Sequence, residues 1–234
     1  MEEKKLTIDD TLKNLLKKVK VIILDLEGTI LEMDADWELM RDKIHDYFSQ
    51  NYNIKMHFKP VLEKVNKAIE IISNKYPDSD LNKIKEDINN IIEQTHIDAA
   101  KNSRLFDNVI VLIEKLRNHG YKLTAFTRSG KKSTKILLSR NGLNDVFQMI
   151  LTREDVMEPK PSPEGIEKII EHYNYEPDKF LIIGDHPYDI MAGKKAKIYT
   201  IGVLSGIGTE DDLKKAGADY ILEKITDIIK YIKP

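Results

Sequence analysis

The chain has no cysteine among its 234 residues. That excludes a disulfide framework, a thiolate metal site and a cysteine nucleophile. It has a single tryptophan and only 7% aromatic residues, and its net charge of −2 is small against 37 basic and 39 acidic side chains. Neither sign gathers into a long block, so nothing in the charge points to a nucleic-acid or membrane-surface binder. Long apolar runs are missing too. No segment approaches the roughly 20 residues needed to span a bilayer, and the stretch Met1-Glu2-Glu3-Lys4-Lys5 lacks the hydrophobic core of a secretion signal. The expected location is therefore cytoplasmic, and neither nucleic acid nor membrane is an expected partner.

What the chain does have is periodicity. Leu6, Leu12, Leu15 and Leu16 predict an amphipathic helix over residues 5–18, ahead of a strand over Val19–Asp25. From about Asp34 to Leu105 apolar residues recur at three and four, as in Leu39, Met40, Ile44, Tyr47 and Phe48, then Val61, Val65, Ile69 and Ile72, then Leu81, Ile84, Ile88 and Ile92. This predicts three or four helices, broken near Asn51–Lys55 and at Tyr76–Ser79, where Pro77 ends a helix. Beyond Phe106 helix and strand alternate, with helices at 107–118, 131–140, 163–172 and from Glu210. The strands fall at 121–126, 148–151, 179–183, 198–203 and 219–222. Such alternation implies an α/β fold with a parallel sheet covered by helices on both faces. The helical block then interrupts the sheet after its first strand, which gives a core of residues 1–33 and 106–234 and an insertion of residues 34–105.

Ligands of open α/β sheets bind beyond the carboxyl ends of the strands. At those ends stand Asp25, Glu27 and Gly28; Thr127, Arg128 and Ser129; Lys160 between two prolines; and Gly184-Asp185 with Asp189 further on. Asp25 and Glu27, two apart on a strand, are expected on one face. The stretch alone also reads as a buried strand ending in a polar turn, so the choice rests on the other strand ends. The inventory of carboxylates, a hydroxyl and a lysine suits phosphoryl transfer, which needs positioning and positive charge more than covalent machinery. Asp185, Asp189 and Asp25 form a hard-oxygen set of the kind that holds Mg²⁺.

In this order the segments resemble the haloacid-dehalogenase superfamily of phosphatases, and most closely its phosphoglycolate-phosphatase-like branch. The carrying residues are Asp25-Leu26-Glu27-Gly28-Thr29, Thr127, Lys160-Pro161-Ser162-Pro163 and Gly184-Asp185-His186-Pro187-Tyr188-Asp189, with Ile190-Met191-Ala192-Gly193 and Ala216-Gly217-Ala218-Asp219-Tyr220 as supporting stretches. The resemblance implies a Rossmann-like three-layer core with an α-helical cap over the site, closing it to bulk water and choosing the substrate. It implies an aspartyl-phosphate on Asp25, with Glu27 as general acid and base. It also implies that Mg²⁺ is held by Asp25, the backbone carbonyl of Glu27 and Asp185, with Asp189 bound directly or through water. Thr127 and Lys160, with backbone amides near Gly28 and Arg128, would hold the phosphoryl oxygens of a small phosphorylated metabolite. Glu27 departs from the family's usual aspartate. The extra methylene moves the carboxyl group by about 1.5 Å, and a misplacement of that order costs on the order of a hundredfold in rate. The enolase-phosphatase branch also carries Glu here, whereas branches lacking an acid at this position, the dehalogenases and phosphonatases, fit less well.

Two rival functions share these residues: a phosphosugar mutase that returns the phosphoryl group to a sugar, and a noncatalytic binding or regulatory protein that keeps the fold. Weaker features have plain structural readings beside functional ones. His186 reads as a solvent-facing loop residue or a minor substrate contact, and His45, His57, His96, His119 and His172 as surface or boundary residues. Trp37 and Met40 read as pocket lining or helix core, and the side chain of Arg128 as a substrate contact beside its backbone role. Ser205-Gly206-Ile207-Gly208 completes no dinucleotide fingerprint and reads as a loop.

Overall fold

A computed structural model describes residues 8–232. Its centre is a six-stranded, wholly parallel sheet of β1 (Val21–Leu24), β4 (Lys122–Phe126), β5 (Met149–Leu151), β6 (Phe180–Gly184), β7 (Tyr199–Val203) and β8 (Tyr220–Leu222), in spatial order β5-β4-β1-β6-β7-β8. β1 lies between β4 and β6, with Leu24 opposite Ala125 on one side and Ile183 on the other. Its four residues are wholly buried, as expected of a parallel strand covered on both faces. The helices α1 (Ile8–Lys18), α5 (Val109–Asn118), α6 (Lys131–Arg140), α7 (Glu164–Tyr173), α8 (Pro187–Lys195) and α9 (Glu210–Ala216) belong to this unit. Leu6, placed in the first helix by its spacing, lies outside the described residues.

Two compact units result, one formed by the described residues up to Met33 and from Ser103 onward, the other by Asp34–Asn102. The second consists of α2 (Trp37–Tyr52), α3 (Val61–Lys75) and α4 (Leu81–Ala100). Asp36 caps α2 by accepting from the Leu39 amide at 2.8 Å, and Asn53 ends it in the left-handed conformation. Asp80 caps α4 through the amides of Asn82 and Lys83. The unit has its own core, in which Phe48 stacks on Phe58 at 5.2 Å among Met40, Ile44, Ile72 and Ile88. Met40 is thus core. Trp37 packs edge-on against His96, and His96 is buried rather than at the surface or boundary where its spacing put it.

Residues 103–105 correct the expected boundary. They lie with the core because β2 (Leu31–Glu32) and β3 (Arg104–Leu105) form an antiparallel ribbon, reinforced by an exposed Arg104–Glu32 ion pair at 2.5 Å. Among the described residues no helix is long and apolar enough to cross a membrane.

Candidate active site

β1 ends at Leu24, so Asp25 and Glu27 stand in a tight loop and not on the strand. Strand alternation therefore does not place them. The loop does: the Leu26 carbonyl accepts from the amides of Ile30 and Leu31, each at 3.0 Å, and Gly28 turns with φ +80°. A Cβ on Gly28 would lie 2.6 Å from Oδ2 of Asp185, so close approach and backbone conformation both demand glycine.

Lys160 is buried at the centre. Its Nζ donates to Asp25 Oδ1 at 2.6 Å and to the Phe126 carbonyl at 2.7 Å, and lies 2.5 Å from Asp189 Oδ1. Asp185 is held at both oxygens, by the Thr29 hydroxyl on Oδ1 at 3.1 Å and the Ile207 amide on Oδ2 at 3.0 Å. Asp189 belongs to the first turn of α8. Pro187 opens that helix, the Tyr188 amide donates to His186 Nδ1, and the His186 amide donates to Asp189 Oδ2. His186 is accordingly a half-buried helix cap, not a solvent-facing loop residue, because proline at the first position starts the helix directly after it.

Oxygens of Asp25, Asp185 and Asp189 lie within 4.8 Å of one another, all three residues buried. Burial drives Asp25 well above the usual carboxylate range despite the opposing pull of Lys160, and Asp189, Asp185 and Glu27 add to the rise. Asp185 is pushed up to about 6, by burial first and then by Asp189. Burial alone would lower Lys160, but the charges of Asp189 and Asp25 outweigh it and hold the ammonium above its ordinary value. Three carboxylates facing one ammonium leave negative charge uncompensated in a dry place. An all-oxygen donor set with that deficit fits a hard divalent cation.

Glu27 faces the other neighbouring strand. Thr127, at the end of β4, donates its hydroxyl to Glu27 Oε2 at 2.8 Å and accepts from the Ser129 amide at 2.9 Å. Glu27 Oε1 is buried and has no partner. Arg128 lies over the Tyr188 ring, 5.1 Å from its centroid. The segments that carry Asp25, Glu27, Gly28, Thr127, Lys160, Asp185 and Asp189 thus converge, and Arg128 borders them.

Sequence reasoning overlooked the loop after β7. The Ser205 hydroxyl donates to the Gly28 carbonyl at 2.7 Å, and the Ile207 amide holds Asp185. A Cβ would come within 1.9 Å of Asp185 Oδ2 at Gly206, and within 2.1 Å of the Asp185 carbonyl oxygen at Gly208. The available signal was two glycines just past a predicted strand, at the ligand-binding edge of the sheet.

A sequence profile of the haloacid dehalogenase-like hydrolases matches residues 22–203. The chain belongs to this family. In this haloacid dehalogenase-like hydrolase the match runs from β1 through β7, and so includes every converging segment except the loop at 205–208. The chain is 26% identical over 218 residues to the pyrophosphatase PpaX of Oceanobacillus iheyensis, across 92% of this chain and 97% of that one. A hydrolase from Pseudomonas syringae superposes with a TM-score of 0.68 at 22% identity, over 90% and 96% of the two chains. A predicted phosphoglycolate phosphatase from Haemophilus somnus gives 0.66 at 20% identity, over 92% and 99%. At such identities the two structures speak for the fold alone.

Proposed function

We propose that the chain is a Mg²⁺-dependent phosphatase acting on a small phosphorylated metabolite of the phosphoglycolate or sugar-phosphate kind through an aspartyl-phosphate on Asp25. The observation that carries this reading is Asp25 itself, buried against Lys160 and within 4.8 Å of the carboxylates of Asp185 and Asp189. Lys160 holds one oxygen of Asp25 and leaves the other for attack on phosphorus. Attack forms the Asp25 acyl phosphate and breaks the bond from phosphorus to the leaving oxygen, which Glu27 protonates through the oxygen that has no other partner. Glu27, now ionised, then takes a proton from the water that attacks the acyl phosphate, and inorganic phosphate leaves. Thr127 orients Glu27, while the amides beside Gly28 and Arg128 receive phosphoryl oxygens. Mg²⁺, held by Asp25, Asp185, the Glu27 carbonyl and Asp189 directly or through water, would lend positive charge to the phosphoryl group. The helical insertion, on this reading a cap, selects among substrates. The relatives named pyrophosphatase add pyrophosphate to the compounds worth testing.

The test is phosphate release from a panel of phosphomonoesters and pyrophosphate, with Mg²⁺ and with chelator. Asp25→Asn should lower turnover at least about a thousandfold, as loss of a nucleophile does elsewhere, without changing the circular dichroism spectrum. Retained turnover in this variant would remove the mechanism. Exchange of phosphate between sugar positions would identify a mutase, and absence of any metal-dependent release would favour the noncatalytic reading.

A further inference from the structure

The guanidinium of Arg128 has no part in the chemistry above. It extends from the residue after Thr127, at the end of β4, to Tyr188 on the first turn of α8, just after β6. β4 and β6 flank β1, so the Arg128–Tyr188 pair joins the two strands on either side of the one leading to Asp25. The His186 ring lies 4.4 Å from that of Tyr188.

Two observations set Arg128 apart from an arginine kept for structure. Among the described residues no carboxylate pairs with it, although Glu27 accepts from the hydroxyl of the preceding residue, Thr127, and Asp189 is next to Tyr188. Its Nε is closed to water and has no hydrogen-bond acceptor. Buried donors in folded proteins nearly always have a partner, and leaving one unmade is costly. The Tyr188 ring supports the cation through its face. A planar guanidinium held this way suits the paired oxygens of a carboxylate or phosphate.

We propose that Arg128, supported by Tyr188 and bordered by His186, receives a second anionic group on the leaving-group side of the substrate. The substrates are then small phosphates bearing a carboxylate or a second phosphate close to the scissile phosphorus, and neutral sugar phosphates are poor ones. This rests on the phosphatase reading and narrows its substrate class.

The experiment measures binding, so it does not depend on turnover. Phosphonoacetate, methylenediphosphonate and the singly anionic-headed propylphosphonate are titrated calorimetrically into the unaltered chain, Arg128→Gln and Arg128→Lys, with Mg²⁺ in excess. One or both doubly anionic ligands should bind about 10- to 100-fold more tightly than propylphosphonate, the range of a charge-assisted contact. Which of the two gains separates a carboxylate from a phosphate. Arg128→Gln should bring the ratio to within about twofold, and Arg128→Lys should restore part of it, since the point charge survives without the fork. An unaltered ratio in Arg128→Gln overturns the proposal. So does equal weakening of all three ligands, because the guanidinium would then contact the shared phosphonyl group. Failure of every ligand to bind the unaltered chain strikes at the phosphatase reading itself, and the subsite falls with it.

Discussion

Glu27 reaches its place through one hydroxyl. The longer side chain brings Oε2 to Thr127 at 2.8 Å and leaves Oε1 buried without a partner, an arrangement that fixes the carboxyl group while keeping one oxygen for a proton. Glu27→Gln should therefore lower turnover of alkyl phosphates by about 100-fold or more, the usual size of a general acid and base contribution. An activated aryl phosphate, whose leaving group needs no proton, should lose less in its first step and accumulate phosphoenzyme. Steady-state rates on the two substrate types decide the matter; equal turnover of the alkyl phosphate by variant and wild type would place the proton elsewhere, with His186 next in line. The converging residues were legible in sequence because each follows a predicted strand. The Thr127–Glu27 bond was not, since it joins side chains 100 positions apart, and the lone Arg128 Nε appears only when its surroundings are known.

Elements were legible where their period was long enough to repeat. The three helices of the insertion and the six strands of the sheet all fall close to their predicted positions. β2 and β3 have two residues each, too few for alternation to register, and they settle where the insertion leaves the core. α8 was hidden behind the acidic motif that its first turn carries. The glycine loop after β7 was passed over because glycines report backbone approach only once the neighbour is known. Gly206→Ala would push a methyl group into Asp185, and the expected result is Mg²⁺ affinity lower by about tenfold or more, as with other residues that support metal ligands. Unchanged Mg²⁺ dependence of activity would show that the loop yields without disturbing Asp185. A second local device holds the segment leading to Lys160. Glu164 at the start of α7 accepts from the amides of Met157 at 3.0 Å and Glu158 at 2.8 Å, and Lys168 pairs with it. Lys168 first, then those amides, pull its pKa from 4.5 down to about 2. A depressed carboxylate stabilises the fold above its unfolded value and loses that contribution as pH falls through its folded one. The melting temperature of wild type should exceed that of Glu164→Gln by a constant amount above about pH 5, and the gap should close towards about pH 2. A gap independent of pH would mean that the carboxylate charge is irrelevant to this loop.

For the whole molecule, the sheet gathers buried like charges at one edge, and stability should register that. Asp185 carries the sign. Its pKa of about 6 in the fold lies above the ordinary 3.8, so between these values the folded chain holds a proton that the unfolded chain has released. Folding is then opposed as pH rises through that window, the reverse of Glu164. Other carboxylates titrate in the same range, so the measurement is a difference. In the metal-free state, wild type should lose stability relative to Asp185→Asn by about 1 to 3 kcal/mol as pH rises from about 4 to about 7, the rise from 3.8 to about 6 setting the upper end. A divalent cation should reverse this, because it binds the ionised cluster and nothing equivalent exists in the unfolded chain. Mg²⁺ at a hundred times its dissociation constant should add about 2.7 kcal/mol to wild type, and far less to Asp185→Asn at the same concentration. Calcium should also stabilise the fold but inhibit turnover, since its looser, higher-coordinate shell can engage a second oxygen of Asp25 and hinder attack. Urea unfolding with chelator, Mg²⁺ or Ca²⁺ across this pH range tests the statements on stability, and phosphate release in Ca²⁺ against Mg²⁺ tests the inhibition. Parallel curves for wild type and Asp185→Asn, together with an equal response to Mg²⁺, would mean that Asp185 neither bears the strain of the cluster nor helps to hold the ion, and the assignment of the metal site to these carboxylates would fail.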